Sequence, residues 1–318
     1  MPIIVNPPSS TTPVVLINQS ASSMLQLIQQ ATGELGLNVP TYVSGNTTQD
    51  VTQQLALLNA VGYELQRQYD WQNLLIEYRY VTQFVTTTGT TTKGSAVITG
   101  IPSTTGLDNT YSIINTNFPQ DTYISTNDSS VQVTATQAAS VSGTVTLNFC
   151  KTKYEMPNDY DRPVDRTQWD KSKHWEMLGP DTSQQWQWLK SGFISSGPRL
   201  RFRVMGGYFQ IWPPQAVADT IGIEYVSQNW VADSYGTGKR SFTLDTDKCI
   251  FPDQLMVLGL KKKYFEAKGF DATVLRAEYN ADLSISKATD SGAPTLSFAP
   301  RLSSSLLGIQ NVPDSGYG

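Results

Sequence analysis

A single histidine, His174, stands among 318 residues. Zinc sites and Ser- or Cys-based catalytic triads draw on one or more histidines, so the chain holds little material for either. His174 lies between Lys173 and Trp175 in a charged stretch, where a solvated or stacking imidazole is the plain reading. Cysteine is almost as scarce. Cys150 and Cys249 are the whole complement, and each sits beside or inside an apolar run. Two cysteines form no framework, so buried free thiols are expected, with a disulfide as the open alternative. Charge is thin as well: Asp, Glu, Lys and Arg make up 16% of the chain, against roughly a quarter in ordinary soluble domains. The net charge of −4 excludes the whole-chain footprint of a nucleic-acid binder but leaves a local basic stripe open. No run approaches the roughly 20 apolar residues of a membrane span. The opening segment, MPIIVNPPSSTTPVVLINQS, lacks the charged and continuous apolar regions of a signal peptide. Gly206-Gly207 and Gly236-Thr237-Gly238-Lys239 do not fit a phosphate-cradling loop. No cofactor, metal or catalytic activity is expected.

What is present is a bracketing. Two helix-forming segments, 48–71 and 252–287, enclose a long strand-patterned region. Residues 1–19, with four prolines, read as an extended arm. Met24, Leu27, Ile28, Ala31 and Leu35 follow at helical spacing behind Ser20–Ser23 caps. Thr47-Thr48-Gln49-Asp50 matches a capping-box pattern. Val51, Leu55, Leu58, Gly62, Leu65 and Tyr69 then make a narrow, glycine-interrupted stripe suited to close packing on a partner helix. From Leu74 the period changes to two. Residues 94–149 contain no Lys or Arg, and short β-branched runs alternate with Gly, Pro, Asn and Asp. Five or so short strands at that spacing suggest a small sandwich or barrel. A short helix follows through Trp186, Trp188 and Leu189, then strands over 200–204, 208–212 and 221–226, with a hairpin turn at Gly206-Gly207. Met256, Leu260, Tyr264 and Ala267 give the next helix a face, and Gly269 ends it. Asp271 caps a last helix. The expected fold class is α+β: a helical bundle core from N- and C-terminal helices, a β-rich middle domain and a small inserted β-sandwich or barrel. The expected divisions are an arm over 1–19, the bundle over 20–83 plus 246–289, the insert over 84–149, the aromatic middle over 150–245 and a tail over 290–318.

Three clusters deserve weighing. Asp159, Asp161, Asp165 and Asp170 lack the glycine and spacing of a calcium loop, and Arg162, Arg166, Lys171 and Lys173 interleave with them as ion-pair partners. Arg199, Arg201 and Arg203 share one side of a strand, where three guanidinium groups repel unless each finds an anion. Neighbouring acids, a subunit contact and a nucleic-acid stripe all remain open for them. Trp169, Trp175, Trp186, Trp188, Trp212 and Trp230 crowd a short region. An aromatic core, interface anchors and a sugar-stacking surface are the alternatives.

Particular segments carry a resemblance. Leu57-Leu58-Asn59, Glu64-Leu65 and Tyr69-Asp70-Trp71, with Phe251-Pro252-Asp253, Leu258-Gly259-Leu260 and Lys268-Gly269-Phe270-Asp271, resemble the helical core of head-to-tail adaptor proteins of short-tailed bacteriophages, the tail tubular A or gatekeeper type. Tyr160-Asp161-Arg162-Pro163, residues 185–192 and residues 223–227 look like the middle region of longer adaptor-like proteins. The insert, from residues 98–102 through 143–147, resembles small β-modules of phage structural proteins. The resemblance implies a dodecameric ring under the portal, joined to a tail nozzle, with double-stranded DNA passing through without sequence readout. It implies a place in the virion neck after synthesis in the host cytoplasm, with no membrane insertion. Candidate interface residues are Arg199, Arg201, Arg203, Trp169, Trp175, Trp186 and Trp188, with Arg301, Leu306 and Leu307 of the tail. A carbohydrate-binding tail or fibre component is the alternative function.

Overall fold

Residues 21–191 and 199–291 are described by a computed structural model. The expected arm over 1–19, nearly all of the tail over 290–318, and with it Arg301, Leu306 and Leu307, lie outside the described residues. In chain order the first elements are α1 (Met24–Glu34), α2 (Gln49–Gln68), β1 (Leu75–Val81), β2 (Phe84–Thr91), β3 (Val97–Thr99), β4 (Tyr111–Ile114), β5 (Ile124–Ser129), β6 (Gln132–Ala135) and β7 (Gly143–Lys151). There follow β8 (Lys153–Glu155), β9 (Tyr160–Pro163), β10 (Trp169–Asp170), β11 (Trp175–Glu176), α3 (Ser183–Lys190), β12 (Arg201–Met205), β13 (Tyr208–Trp212) and β14 (Thr220–Ser227). The last are β15 (Val231–Ala232), β16 (Gly238–Lys239), β17 (Lys248–Cys249), α4 (Asp253–Lys268) and α5 (Thr273–Ser291).

This arrangement overturns the expected helical bundle core. The described residues are dominated by antiparallel sheets, with five helices of 8 to 20 residues. The physical reason lies in what the helices bury. Their core takes in Val226, Trp230, Val231, Phe242, Cys249 and Phe251 from strands and connecting segments, so helices alone do not make it. The chain divides into two compact units. The first holds the described residues up to Ile76, Asn158–Val164 and those from Glu224 onwards; the second holds Glu77–Pro157 and the described part of Asp165–Ile223.

In the first unit, α1 opens with a capping box. The Ser23 hydroxyl accepts from the Gln26 amide, and the Ser23 amide donates to Gln26 Oε1 at 2.8 Å. The pattern at Thr47–Asp50 forms no such box: Thr48 caps α2 without a side-chain hydrogen bond, and its own amide is held by Asn46 Oδ1 at 2.9 Å. Gly62 does not serve a partner helix either. A Cβ there would stand 2.1 Å from the Trp230 indole, so the missing side chain is the seat of a fully buried ring. Close helix approach comes instead through Gly259 of α4, where a Cβ would meet Val61 of α2 at 2.6 Å and Tyr279 of α5 at 3.2 Å. Every residue from Leu255 to Leu260 is buried, because α4 packs against α1, α2 and α5 at once. Of the expected face, Met256, Leu260 and Tyr264 are buried and Ala267, in the exposed last turn, is not; over 255–260 the burial extends all round, so the stripe understates what this part of the helix covers. Gly269 closes α4 at φ 75°, in the left-handed region. Carboxylates staple distant segments here. Asp253 accepts from the Ser22 amide at 3.0 Å and Asp245 from the Ser44 amide at 2.7 Å. Asp247, fully buried, accepts from the amides of Thr243 and Leu244 and from Lys239 Nζ at 2.9 Å.

In the second unit, the inserted module is one six-stranded antiparallel sheet of order β4-β7-β2-β3-β6-β5. Its centre is the eight-residue pairing of β2 with β7, from Phe84↔Cys150 to Thr91↔Gly143. Ile98, Ile113, Val133, Leu147 and Phe149 are buried against it. Outside the module, β12, β13 and β8 form a second sheet, turned at Gly206-Gly207 with φ 63° and 79°. Two successive positive φ values are what a tight hairpin turn demands, and glycine adopts them freely. Phe202 stacks on Phe209 at 5.1 Å, and Tyr80 on Tyr154 at 4.2 Å. The hairpin of β10 and β11 pairs with the first half of β14.

Candidate functional site

The arginine stripe resolves into local anchors. Arg201 and Arg203 alternate with buried Phe202 on β12. Arg201 pairs with Asp181 at 3.2 Å, and Arg203 donates to the Ser183 hydroxyl at 2.8 Å. Both partners sit at the start of α3 rather than on a neighbouring strand, so these arginines hold that helix in place. Arg199 lies just outside β12, half-buried, with no ion pair among the described residues.

α3 is the element they position. Thr182 and Gln185 form its capping box. Trp186 and Leu189, three residues apart, face inward and pack with Trp212 as a small core of their own. Trp186 is 1% exposed, whereas Trp188 is 52% exposed on the outer face. The expected tryptophan interface therefore divides. Trp186 is structural, Trp169 and Trp175 lie half-buried in the β10–β11 hairpin, and Trp188 alone of the four presents its ring to solvent. His174 is exposed in the turn of that hairpin at φ 56°.

Lys190, at the end of α3, fixes the helix to the inserted module. Its Nζ lies 2.8 Å from Asp121 Oδ1, and this distance makes an ion pair although that buried oxygen accepts no well-aligned hydrogen bond. The same ammonium lies 4.8 Å from the centre of the Tyr123 ring, with Trp212 at 5.8 Å. Burial pulls the Lys190 pKa down, but Tyr123 and Asp121 outweigh it and the net shift is upward. Burial likewise raises the Tyr123 hydroxyl. Beside this pair runs an open groove of about 500 Å³, lined by Gln120, Asp121, Gln137, Gln187, Lys190 and Ser191.

Three of the four clustered aspartates are taken up by structural contacts, and the fourth, Asp165, is exposed with no ion pair among the described residues. Asp159, buried, accepts from the hydroxyls of Tyr225 at 2.9 Å and Ser227 at 2.6 Å. Asp161 accepts from Gln66 Nε2 at 3.1 Å and pairs with Arg162. Asp170, whose pKa is raised chiefly by burial, accepts from the amides of Ser172 and Lys173 at 3.1 Å. No group of three or more His, Cys, Asp or Glu side chains among the described residues could hold a metal ion. Both cysteines are free and buried, and desolvation pushes each thiol up to about 12.

No family model and no curated protein matches this sequence.

The other notable surface is in the first unit, on α5. This helix packs chiefly on α4, burying Tyr279 and Ser286. Lys262 of α4 reaches over the Tyr279 ring at 3.7 Å and locks the two helices. The opposite face carries Val274, Ala277, Ala281, Ser284, Ile285 and Ala288, all exposed and none charged. Val274 is 69% and Ile285 62% exposed, and Phe270, just before the helix, is 60% exposed. An uncharged, shallow helical face of this kind can meet another helix closely. The sequence carried its signal: Val274, Ala277, Ala281, Ile285 and Ala288 recur at helical spacing opposite Leu275, Tyr279 and Leu283.

Proposed function

We propose that this chain is a structural protein that assembles with copies of itself, and that it serves as a head-to-tail adaptor ring between a phage portal and tail nozzle. The observation that carries self-assembly is the outward face of α5, where Val274 and Ile285 are left in water by the isolated chain. Exposed apolar surface that lines up along one element is what protein contacts use. The adaptor assignment within that class rests on the quoted segment resemblance.

Charge pairing supports the same reading. The densest basic run, Lys261-Lys262-Lys263, is tied to Glu34 at 2.6 Å and to Glu64 at 3.6 and 2.6 Å, and Lys268 to Asp50 at 3.3 Å. Cations already paired with carboxylates add little phosphate affinity, and a conduit for passing DNA must not grip it. The test is assembly of the full chain against a Val274→Asp, Ile285→Asp double variant, by mass photometry. Placing a carboxylate in a desolvated contact costs on the order of several kcal/mol per ion. The variant is expected to lose the multimer while keeping its circular dichroism spectrum. Equal assembly of both proteins refutes the assignment of the α5 face.

A further inference from the structure

We infer that the outward face of α5 in one copy of the chain seats on the outward face of α2 in the next copy, a head-to-tail contact between two different surfaces. This contact rests on the self-assembly through α5 proposed above and names the surface that α5 meets. The outward side of α2 runs through Thr52, Ala56, Tyr63 and Arg67, at steps of four, seven and four residues, so all four share one helical face. All four are exposed, Tyr63 to 47%, and Ala60 beside them is half-buried. Next to Thr52 and Ala56 the surface is concave, an open groove of about 620 Å³ closed on its far side by Ala267 and Lys268 of α4. The Tyr63 ring meets Trp230 edge-on at 5.9 Å, so it is held from within the chain while nearly half of it faces water. Tyrosine in such a setting is enriched at protein contacts. Arg67 has no ion pair or side-chain hydrogen bond among the described residues.

Charge selects the partner. Glu278, one turn after Val274 at the rim of the exposed α5 face, has no ion pair among the described residues. The cations of α5 are engaged: Arg276 pairs with Glu266 at 2.8 Å, and Lys287 lies over the Tyr69 ring at 5.7 Å. Two α5 faces packed on each other would bring their glutamates into one contact with no free cation, and like charges in a contact are strongly disfavoured. A carboxylate withdrawn from water needs a cation beside it, and α2 offers one in Arg67. Set antiparallel with Arg67 on Glu278, the two helices also match in size. Ile285 lies seven residues after Glu278 and Ala60 seven residues before Arg67, each about 10 Å along its axis. Ile285 therefore meets a small residue, and Tyr63 falls beside Ala281, so large side chains on each helix face small ones on the other. Both faces are exposed in the folded chain, so neither covers the other there, and a second copy brings them together. Two different complementary surfaces on one chain repeat head to tail, and the contact closes into a ring where the rotation allows.

The experiment measures the native mass of the full chain across micromolar concentrations for wild type, Arg67→Glu, Glu278→Arg and the chain carrying both exchanges. Each single reversal sets like charges against each other and is expected to weaken assembly at least about tenfold. The double exchange restores a cation–anion pair at every contact and is expected to recover assembly. Circular dichroism spectra are expected to stay unchanged, because neither side chain has an ion pair among the described residues to lose. Arg67→Glu assembling as wild type does, or a double exchange no better than the single ones, overturns the α2 contact; α5 still stands as an assembly face if Val274→Asp, Ile285→Asp disperses the multimer. A wild-type monomer at every concentration overturns both.

Discussion

Replacing Gly62 by alanine tests how the first unit is packed, because two effects of opposite sign meet at one atom. In the interior of a helix, alanine is favoured over glycine by about 1 kcal/mol. Against that, the new Cβ would stand 2.1, 2.3 and 2.4 Å from three carbons of the Trp230 indole, where carbon atoms prefer about 3.5–4.0 Å. The ring must retreat by more than about 1 Å, and its surroundings oppose this. Trp230 is fully buried, edge-on to Phe242 at 5.2 Å and stacked on Phe251 at 5.7 Å. Overpacking of this kind costs about 1–3 kcal/mol, sometimes more. A rigid, ring-walled indole belongs at the upper end, so the net effect is a loss of about 2 kcal/mol. For a unit of this size that lowers the melting temperature by about 4–8 °C. Gly33→Ala is the internal control, since its Cβ meets nothing nearer than Val39 Cγ2 at 4.0 Å. It is expected to be neutral or stabilising by up to about 1 kcal/mol. Thermal melts followed at 222 nm report this unit, which holds α1, α2, α4 and α5. A Gly62→Ala melting temperature at or above wild type refutes the packing argument.

Two further expectations concern titratable groups. Cys150 and Cys249, free, buried and with thiols pushed up to about 12, resist a thiol reagent at pH 8 in the native protein, and both react in denaturant. Prompt labelling of either thiol in the folded chain contradicts the burial described. Glu77 accepts two hydrogen bonds from Arg79, each at 2.9 Å, and one from Lys171, which lower its pKa to about 2. A carboxylate held below its unfolded value stabilises the fold above that value, near 4.3, and the contribution disappears as pH falls towards 2. Because Glu77 is 39% exposed, solvent screening keeps the effect under about 1 kcal/mol. The stability difference between wild type and Glu77→Gln is therefore constant above pH 5, shrinks as pH falls, and is mostly lost by pH 2. A difference that persists undiminished to pH 2 shows that something other than the carboxylate charge produces it.

Much of the local structure was legible because short-range chemistry wrote it. Ser23 with Gln26, Gly206-Gly207 and Gly269 act within a few residues of themselves, and each element they bound lies where spacing predicts. The failures share a different cause. β2 runs through Thr86-Thr87-Thr88, and threonine on both faces hides the period of two, although Thr87, Gly89 and Thr91 are the more buried positions. Strands of two residues, such as β10, β11 and β15, are too short to show any period. The stripe of α4 shows only part of its burial, because over 255–260 neighbours cover the other side as well. Gly62 read as a helix-packing glycine because nothing nearby in sequence shows that its partner is Trp230. The fold class failed for that same reason: helix-forming segments are visible locally, while the strands and loops that complete their core are not. At the candidate groove, the inward Trp186 and Leu189 share a helical face that also predicts an outward Trp188. Gln120, Asp121 and Gln137 carry no motif, and only the tertiary fold brings them to α3.

The central claim is that copies of this chain assemble through the outer face of α5, and the native mass in solution tests it most directly. Wild type, measured across micromolar concentrations, is predicted to form a discrete multimer, and Val274→Asp, Ile285→Asp a folded monomer. A wild-type monomer at every concentration, or a multimer unchanged in the variant, would contradict the account.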